Sequence, residues 1–208
     1  MANNNKCFGF LMAITISLVF PMLTSCGGFG GRYKIESLRM DAISTDAKIP
    51  LNVRLVLSSE LCNYTYTSVR QGAKRVYELG DALCTNNRKI FSDLFKNVIV
   101  VSSKDEGKTT DFDVTAILKV IDTSVLIRPG APPQFEATII YECAIEDRNG
   151  RTIFVRTIKE YKVIKRYGYD SYRIVMQDTV DELFTKLGHE LIDSLEIKKF
   201  ATQASQVQ

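Results

Sequence analysis

The chain has 208 residues, of which 45% are hydrophobic, 25% charged and 10% aromatic. That balance excludes disordered, collagen-like and multi-span membrane proteins, and the length suits one ordinary domain or two small ones. Against 24 Asp and Glu stand 27 Lys and Arg, a formal charge of +3, too mild for the strongly basic face of a nucleic-acid binder.

The first element is an address. From Cys7 to Leu23 the chain is apolar and uncharged, after a polar start whose only charge is Lys6. The run falls short of the roughly 20 residues that span a bilayer and is interrupted by Pro21, so it reads as a secretory signal peptide. Leu23-Thr24-Ser25-Cys26 closes it and resembles the lipobox of bacterial lipoproteins. That resemblance implies that residues 1–25 are removed and that Cys26 carries a diacylglyceryl group and an N-acyl chain. More than one acyl chain anchors stably where a single chain is marginal. Gly27 rather than Asp after the cysteine implies, by the same resemblance, transfer to the outer membrane, with the domain facing the periplasm. The glycine-rich run 27–31 opens a flexible tether, expected over residues 26–47.

Of the five cysteines, Cys62, Cys84 and Cys143 remain for the domain. Cys143 sits in a strand pattern and is expected as a small buried hydrophobe. Cys62 and Cys84 either bridge or stay reduced, depending on whether the fold brings their Cα atoms to about 4.4–6.8 Å. No CxxC or histidine-rich spacing suggests a metal.

The domain is expected over residues 48–197. Residues 50–57 are short, apolar and β-branched, a strand. The Tyr/Thr-rich passage from Tyr64, turning near Gln71-Gly72 and ending at Tyr77, reads as an exposed hairpin extension. At Leu79 the period changes. Leu79, Leu83, Ile90, Phe91, Leu94 and Phe95 share one side of a helix ending near Asn97, with Gly80 or Asp81 as cap and Asn86, Asn87, Arg88 and Lys89 on exposed faces. Residues 98–101 form a buried strand. Residues 111–127 form another, with Phe112, Val114, Ala116, Leu118 and Val120 on one face. Over 134–146, Phe135, Ala137, Ile139, Tyr141, Cys143 and Ile145 alternate with more polar positions, a half-solvated antiparallel strand. Asn149-Gly150 makes the tight turn into a strand from Arg151 to about Ile164. The last helix spans roughly 170–196, capped by Asp170 or Ser171, with an apolar stripe from Tyr172 to Leu195. Residues 198–208 are polar and expected to be a disordered tail.

These elements predict an α+β fold: a two-layer sandwich with two amphipathic helices on one face of a mixed, mostly antiparallel four-stranded sheet, in the order β-α-β-β-β-α. The first two strands flank a helical crossover and are expected to lie parallel.

The lipobox, the strand leading into residues 57–61, the helix phrase 79–83 continuing through 90–95 and the strand after it resemble small outer-membrane lipoproteins. These include the lipopolysaccharide-assembly lipoprotein LptE, YajG-like lipoproteins and auxiliary lipoproteins of some ABC transport systems. The resemblance rests on element order and hydrophobic rhythm and carries no catalytic motif. It implies a non-enzymatic protein that binds an outer-membrane β-barrel or other envelope protein, with lipopolysaccharide as a possible ligand. An auxiliary role at an ABC-type transporter, or activation of a peptidoglycan synthase or secretion channel, is the alternative.

Catalytic chemistry is not announced by the residues. The only histidine, His189, lies within the last helix and is expected to be partly exposed rather than a base. Asp111 and Asp113, two apart on a strand, are expected to face solvent. Two surface features suit a partner. Arg70, Lys74 and Arg75 cluster with Tyr64, Tyr66 and Tyr77 around the hairpin, a mixture fitted to anionic headgroups or to a protein. Val125, Leu126, Ile127, Arg128 and Pro129 open a proline-rich loop, 125–133, whose aliphatics either present themselves to a partner or fold back into the core.

Overall fold

The computed structural model describes residues 30–38, 47–70, 73–106, 112–168 and 170–207. They form, in chain order, β1 (Gly31–Lys34), β2 (Ile49–Val56), α1 (Ser59–Cys62), β3 (Thr65–Arg70), β4 (Ala73–Glu78), α2 (Gly80–Leu94), β5 (Phe95–Val101), β6 (Val114–Arg128), β7 (Gln134–Asp147), β8 (Thr152–Lys165), α3 (Ser171–Asp193) and α4 (Leu195–Val207). The fold is α+β, but the expected single four-stranded sheet is wrong. There are two sheets, one of five strands in the order β5-β2-β6-β7-β8 and one of three in the order β1-β4-β3.

The large sheet follows from periodicity. All five strand-like stretches of the main domain pair, so a total of four undercounted them. β2 lies parallel to β5 and to β6, as a strand–helix–strand crossover allows. β6, β7 and β8 form an antiparallel meander joined by the turn at Asn149-Gly150, where Gly150 takes φ +79°. Phe135, Ala137, Ile139, Tyr141, Cys143 and Ile145 are all buried, so the period-2 pattern of β7 selects the face that meets the helices. On that face the Tyr141 ring meets Phe184 of α3 at 6.1 Å, and its hydroxyl accepts from Asn87 Nδ2 of α2 at 2.6 Å. In β6 the register shifts between Val120 and Asp122. This bulge leaves Ile121 exposed and passes burial from Val114, Ala116 and Leu118 to Thr123 and Val125.

The small sheet depends on pairing across long sequence distance. The passage read as a free hairpin does form the β3–β4 hairpin, and β1 then adds parallel to β4, with Gly31 opposite Arg75 and Lys34 opposite Glu78. β1 lies in the stretch expected to be tether, and Ile35 just beyond it is fully buried.

Other boundaries move for local reasons. α2 starts after Leu79, without a side-chain cap, and ends at Leu94 because Phe95 is already extended (φ −108°, ψ 152°). Asn86 and Asn87, expected on exposed faces, are fully buried. Asn86 Oδ1 accepts from Leu38 N at 3.0 Å, and Asn87 Nδ2 donates to Leu83 O and to Tyr141, so each amide meets a core donor or acceptor with one end, while Asn86 Nδ2 and Asn87 Oδ1 have no hydrogen-bond partner among the described residues. Asp113 is also buried rather than solvent-facing. It accepts from Asn52 N at 2.8 Å and pairs with Arg148 at 3.0 Å; Asp111 lies outside the described residues. The last helix breaks at Ser194 (ψ 114°), whose Oγ accepts from Ile197 N and starts α4. Leu195 is consequently exposed, while Ile197 and Ala201 are buried. Residues expected as a disordered tail are thus helical through Val207.

Candidate functional site

β3 grows directly out of a rigid corner. Ser58 caps the single turn of α1 by accepting from Leu61 N, and Tyr64 O accepts from both Leu79 N and Gly80 N. Gly80 permits this approach. A Cβ there would stand 2.2 Å from Cys62 O and 2.6 Å from Tyr64 N. The disulfide Cys62–Cys84, with Cα atoms 5.3 Å apart, ties α1 to α2 at the same place and resolves the pairing that the sequence left open. Cys143 is free and buried, and burial pushes its thiol up to about 12.

From this corner β3 runs along the upper part of β6. Between them lies an open cleft of about 500 Å³ lined by Tyr66, Thr67, Ser68, Val69 and Arg70 on one side and by residues 125–129 on the other. The structure therefore brings together the two regions that the sequence singles out separately. Tyr64 closes the lower end with a hydrogen bond from its hydroxyl to Thr123 Oγ1 at 3.0 Å, so it serves as a strut. Arg70 bridges the upper end by donating from Nη1 to Ile127 O.

The 125–133 stretch divides between the two readings left open for it. β6 continues to Arg128, Val125 enters the core, Ile127 is half-buried, and Leu126 stands 51% exposed. Across the cleft Val69 is 69% exposed. Arg128 is held by Glu136, a buried carboxylate that also accepts from Gln134 Nε2 at 2.8 Å. The hydrogen bond from Arg128 holds the Glu136 carboxyl below its ordinary range. With Arg128 neutralised, Arg70 is the cation left to the cleft.

The other predicted residues fall elsewhere. Lys74 is exposed on the opposite face of β4 from Arg75. Arg75 turns inward and stacks its guanidinium 4.2 Å above the Tyr172 ring. Tyr66, Tyr77, Tyr33 and Tyr172 follow one another at centroid distances of 5.9, 5.3 and 6.1 Å. This tyrosine row supports β3 and β4 from behind, and burial raises the Tyr77 hydroxyl strongly. Sequence reasoning missed Tyr33, Val69 and Tyr172 as members of this region. Val69 was legible as the outward position of an alternating strand, whereas Tyr33 and Tyr172 arrive from distant elements. Cys26 lies outside the described residues. No helix among the described residues is long and apolar enough to cross a membrane.

No family model and no curated protein matches this chain. Its fold is similar to that of protein XCC0632 from Xanthomonas campestris, of family DUF330, with a TM-score of 0.55 over 84% of this chain and 98% of that one, at 12% identity. Two lipoproteins superpose less closely. A minor lipoprotein from Acinetobacter baumannii gives a TM-score of 0.41 at 12% identity, covering 67% of this chain and 91% of that one. Lipoprotein GNA1162 from Neisseria meningitidis gives 0.39 at 8% identity, covering 70% and 100%.

Proposed function

We propose that this is a non-enzymatic, lipid-anchored bacterial envelope protein whose α+β domain holds a protein partner in the cleft between β3 and β6. The observation that carries the reading is the convergence of two distant stretches on one cleft with exposed aliphatics, Val69 and Leu126, on both walls. Aliphatic walls with a neighbouring cation suit a protein surface, and preformed strands lower the ordering cost of binding. The lipobox ending at Cys26 supplies the anchor, and because β1 begins at Gly31 the domain is held near the membrane surface, beside a membrane-embedded partner. The resemblance to LptE-like lipoproteins makes an outer-membrane β-barrel the first partner to test, in envelope biogenesis or transport.

A photo-crosslinking residue at Leu126 in living cells tests this, with Lys159 on the exposed side of β8 as control. A discrete adduct from position 126 alone, lost in a Cys26→Ala background that no longer incorporates labelled palmitate, is the expected result. A β-barrel in the adduct supports the assembly role, and an inner-membrane transporter supports an auxiliary one. Equal adducts from both positions, or none, refute the cleft as the binding site.

A further inference from the structure

The cleft has an unusual construction. Five consecutive residues of β3 line one wall and five consecutive residues from Val125 to Pro129 line the other. Side chains alternate along a strand, so walls made of consecutive residues are strand edges rather than strand faces. β3 is the end strand of its sheet, paired with β4 alone. β6 pairs with β2 only over Val114–Ile117, so its continuation to Arg128 has one edge without a strand among the described residues.

These two edges are not equivalent. That of β6 carries the marks by which proteins discourage strand addition: Lys119, the bulge at Ile121, Asp122, Arg128 and then Pro129. β1 and β8, each at the end of its sheet, carry Arg32 and Lys34, and Lys159, Lys162 and Lys165. β3 has none of these devices over Thr65–Val69, whose Thr-Tyr-Thr-Ser-Val sequence favours β-structure. Its ladder phase can also be read. Leu79 N donates to Tyr64 O, and alternation from that pair assigns the β4-facing bonds to Tyr66, Ser68 and Arg70. The N–H and C=O groups of Thr65, Thr67 and Val69 then point to the outer edge, into the cleft. At the end of this row Arg70 has no carboxylate partner among the described residues.

We infer that the cleft takes an extended polypeptide segment that adds as a strand to the outer edge of β3 and sets a carboxylate against Arg70. The inference rests on the cleft being the partner site proposed above, and specifies how that partner is held: main-chain hydrogen bonds to Thr65, Thr67 and Val69 supply affinity. Apolar side chains of the segment meet Val69 and Leu126, and the charge-assisted contact with Arg70 sets its register.

The probe is a phage-displayed library of random dodecapeptides, selected on the full lipidated protein in detergent micelles. Val69→Pro removes one outward N–H and leaves the β4-facing ladder intact, a position where an edge strand tolerates proline. Val69→Ala removes only the side chain. Strand addition predicts acidic, β-prone peptides that lose about tenfold or more in affinity on Val69→Pro and on Arg70→Ala, and much less on Val69→Ala. The same peptides N-methylated at alternate amides should lose binding in one phase of methylation and keep it in the other. This second measurement carries the test if Val69→Pro lowers the melting temperature. Peptides indifferent to Val69→Pro and to methylation but weakened by Leu126→Ala overturn strand addition while leaving the cleft as a binding site. Absence of any enriched peptide overturns strand addition, and the Leu126 crosslink then decides the broader reading separately. A wild-type dimer that becomes monomeric on Val69→Pro overturns the inference in favour of a second copy's β3.

Discussion

Removing the Cys62–Cys84 disulfide tests how the corner beneath the cleft is held. The bond closes a loop with a sequence separation of 22. In the chain-entropy account, a closure of that length withdraws about 3 kcal/mol of conformational freedom from the unfolded chain. Both cysteines are only half-buried, so Cys62→Ala with Cys84→Ala adds little loss of apolar burial. For a domain of this size, 3 kcal/mol corresponds to a melting-temperature decrease of roughly 6–12 °C. Thermal unfolding followed by circular dichroism, with and without a phosphine reductant, reads it: reduced wild type should melt with the double variant. Because α1 leads into β3, amide exchange should also quicken in Thr65–Arg70 before it quickens in β7. A double variant melting within about 2 °C of wild type, or a denatured wild-type protein that yields free thiols from Cys62 and Cys84 without reduction, refutes the reasoning.

Other outcomes follow from the same geometry. Gly80→Ala should destabilise by about 1–3 kcal/mol in denaturant titration, because its Cβ would lie 2.2 Å from a backbone oxygen that the disulfide prevents from moving away. Asn87→Ala should cost about 1–3 kcal/mol by stranding the buried Tyr141 hydroxyl, and a cycle with Tyr141→Phe should recover part of that loss. Comparing wild type with Arg128→Met across pH should show a melting-temperature difference that is present at neutral pH, above the ordinary Glu range. Because the folded-state carboxyl of Glu136 is held below that range, the contribution should fade only as pH falls through the depressed value. A difference that is unchanged in strong acid would show that packing, not the ion pair, is responsible.

Much of the fold was legible from period alone. β7 needed nothing beyond its alternation, because a strand with one face on helices and one on solvent has only one way to place Phe135, Tyr141 and Cys143. The turn at Asn149-Gly150 was equally local. The bulge at Ile121 was not, since its effect shows only when the β6 pattern is laid against β7. Asn86 and Asn87 broke the helix reading for a related reason: an amide counts as polar in any pattern, yet it buries readily once Leu38 N and the Tyr141 hydroxyl come within hydrogen-bonding distance.

The candidate site divides along the same line. Sequence alone marked Tyr66, Arg70, Leu126, Arg128 and Pro129, through side-chain chemistry and the stiffness of the prolines, and it marked Cys26 through the lipobox. It also predicted an α+β domain, which the structure has, behind a segment that reads as a secretory leader. Only tertiary structure decided that Arg70 and Leu126 share one cleft, that Arg75 and Tyr64 are spent on internal contacts, and that β1 is a strand at all. Local patterns are set by neighbours a few residues apart, whereas a sheet edge becomes an edge only when every other strand has taken its place. β3 is open to the cleft because β1 chose the far side of β4, and that choice is made by pairing between segments with no local signal in common.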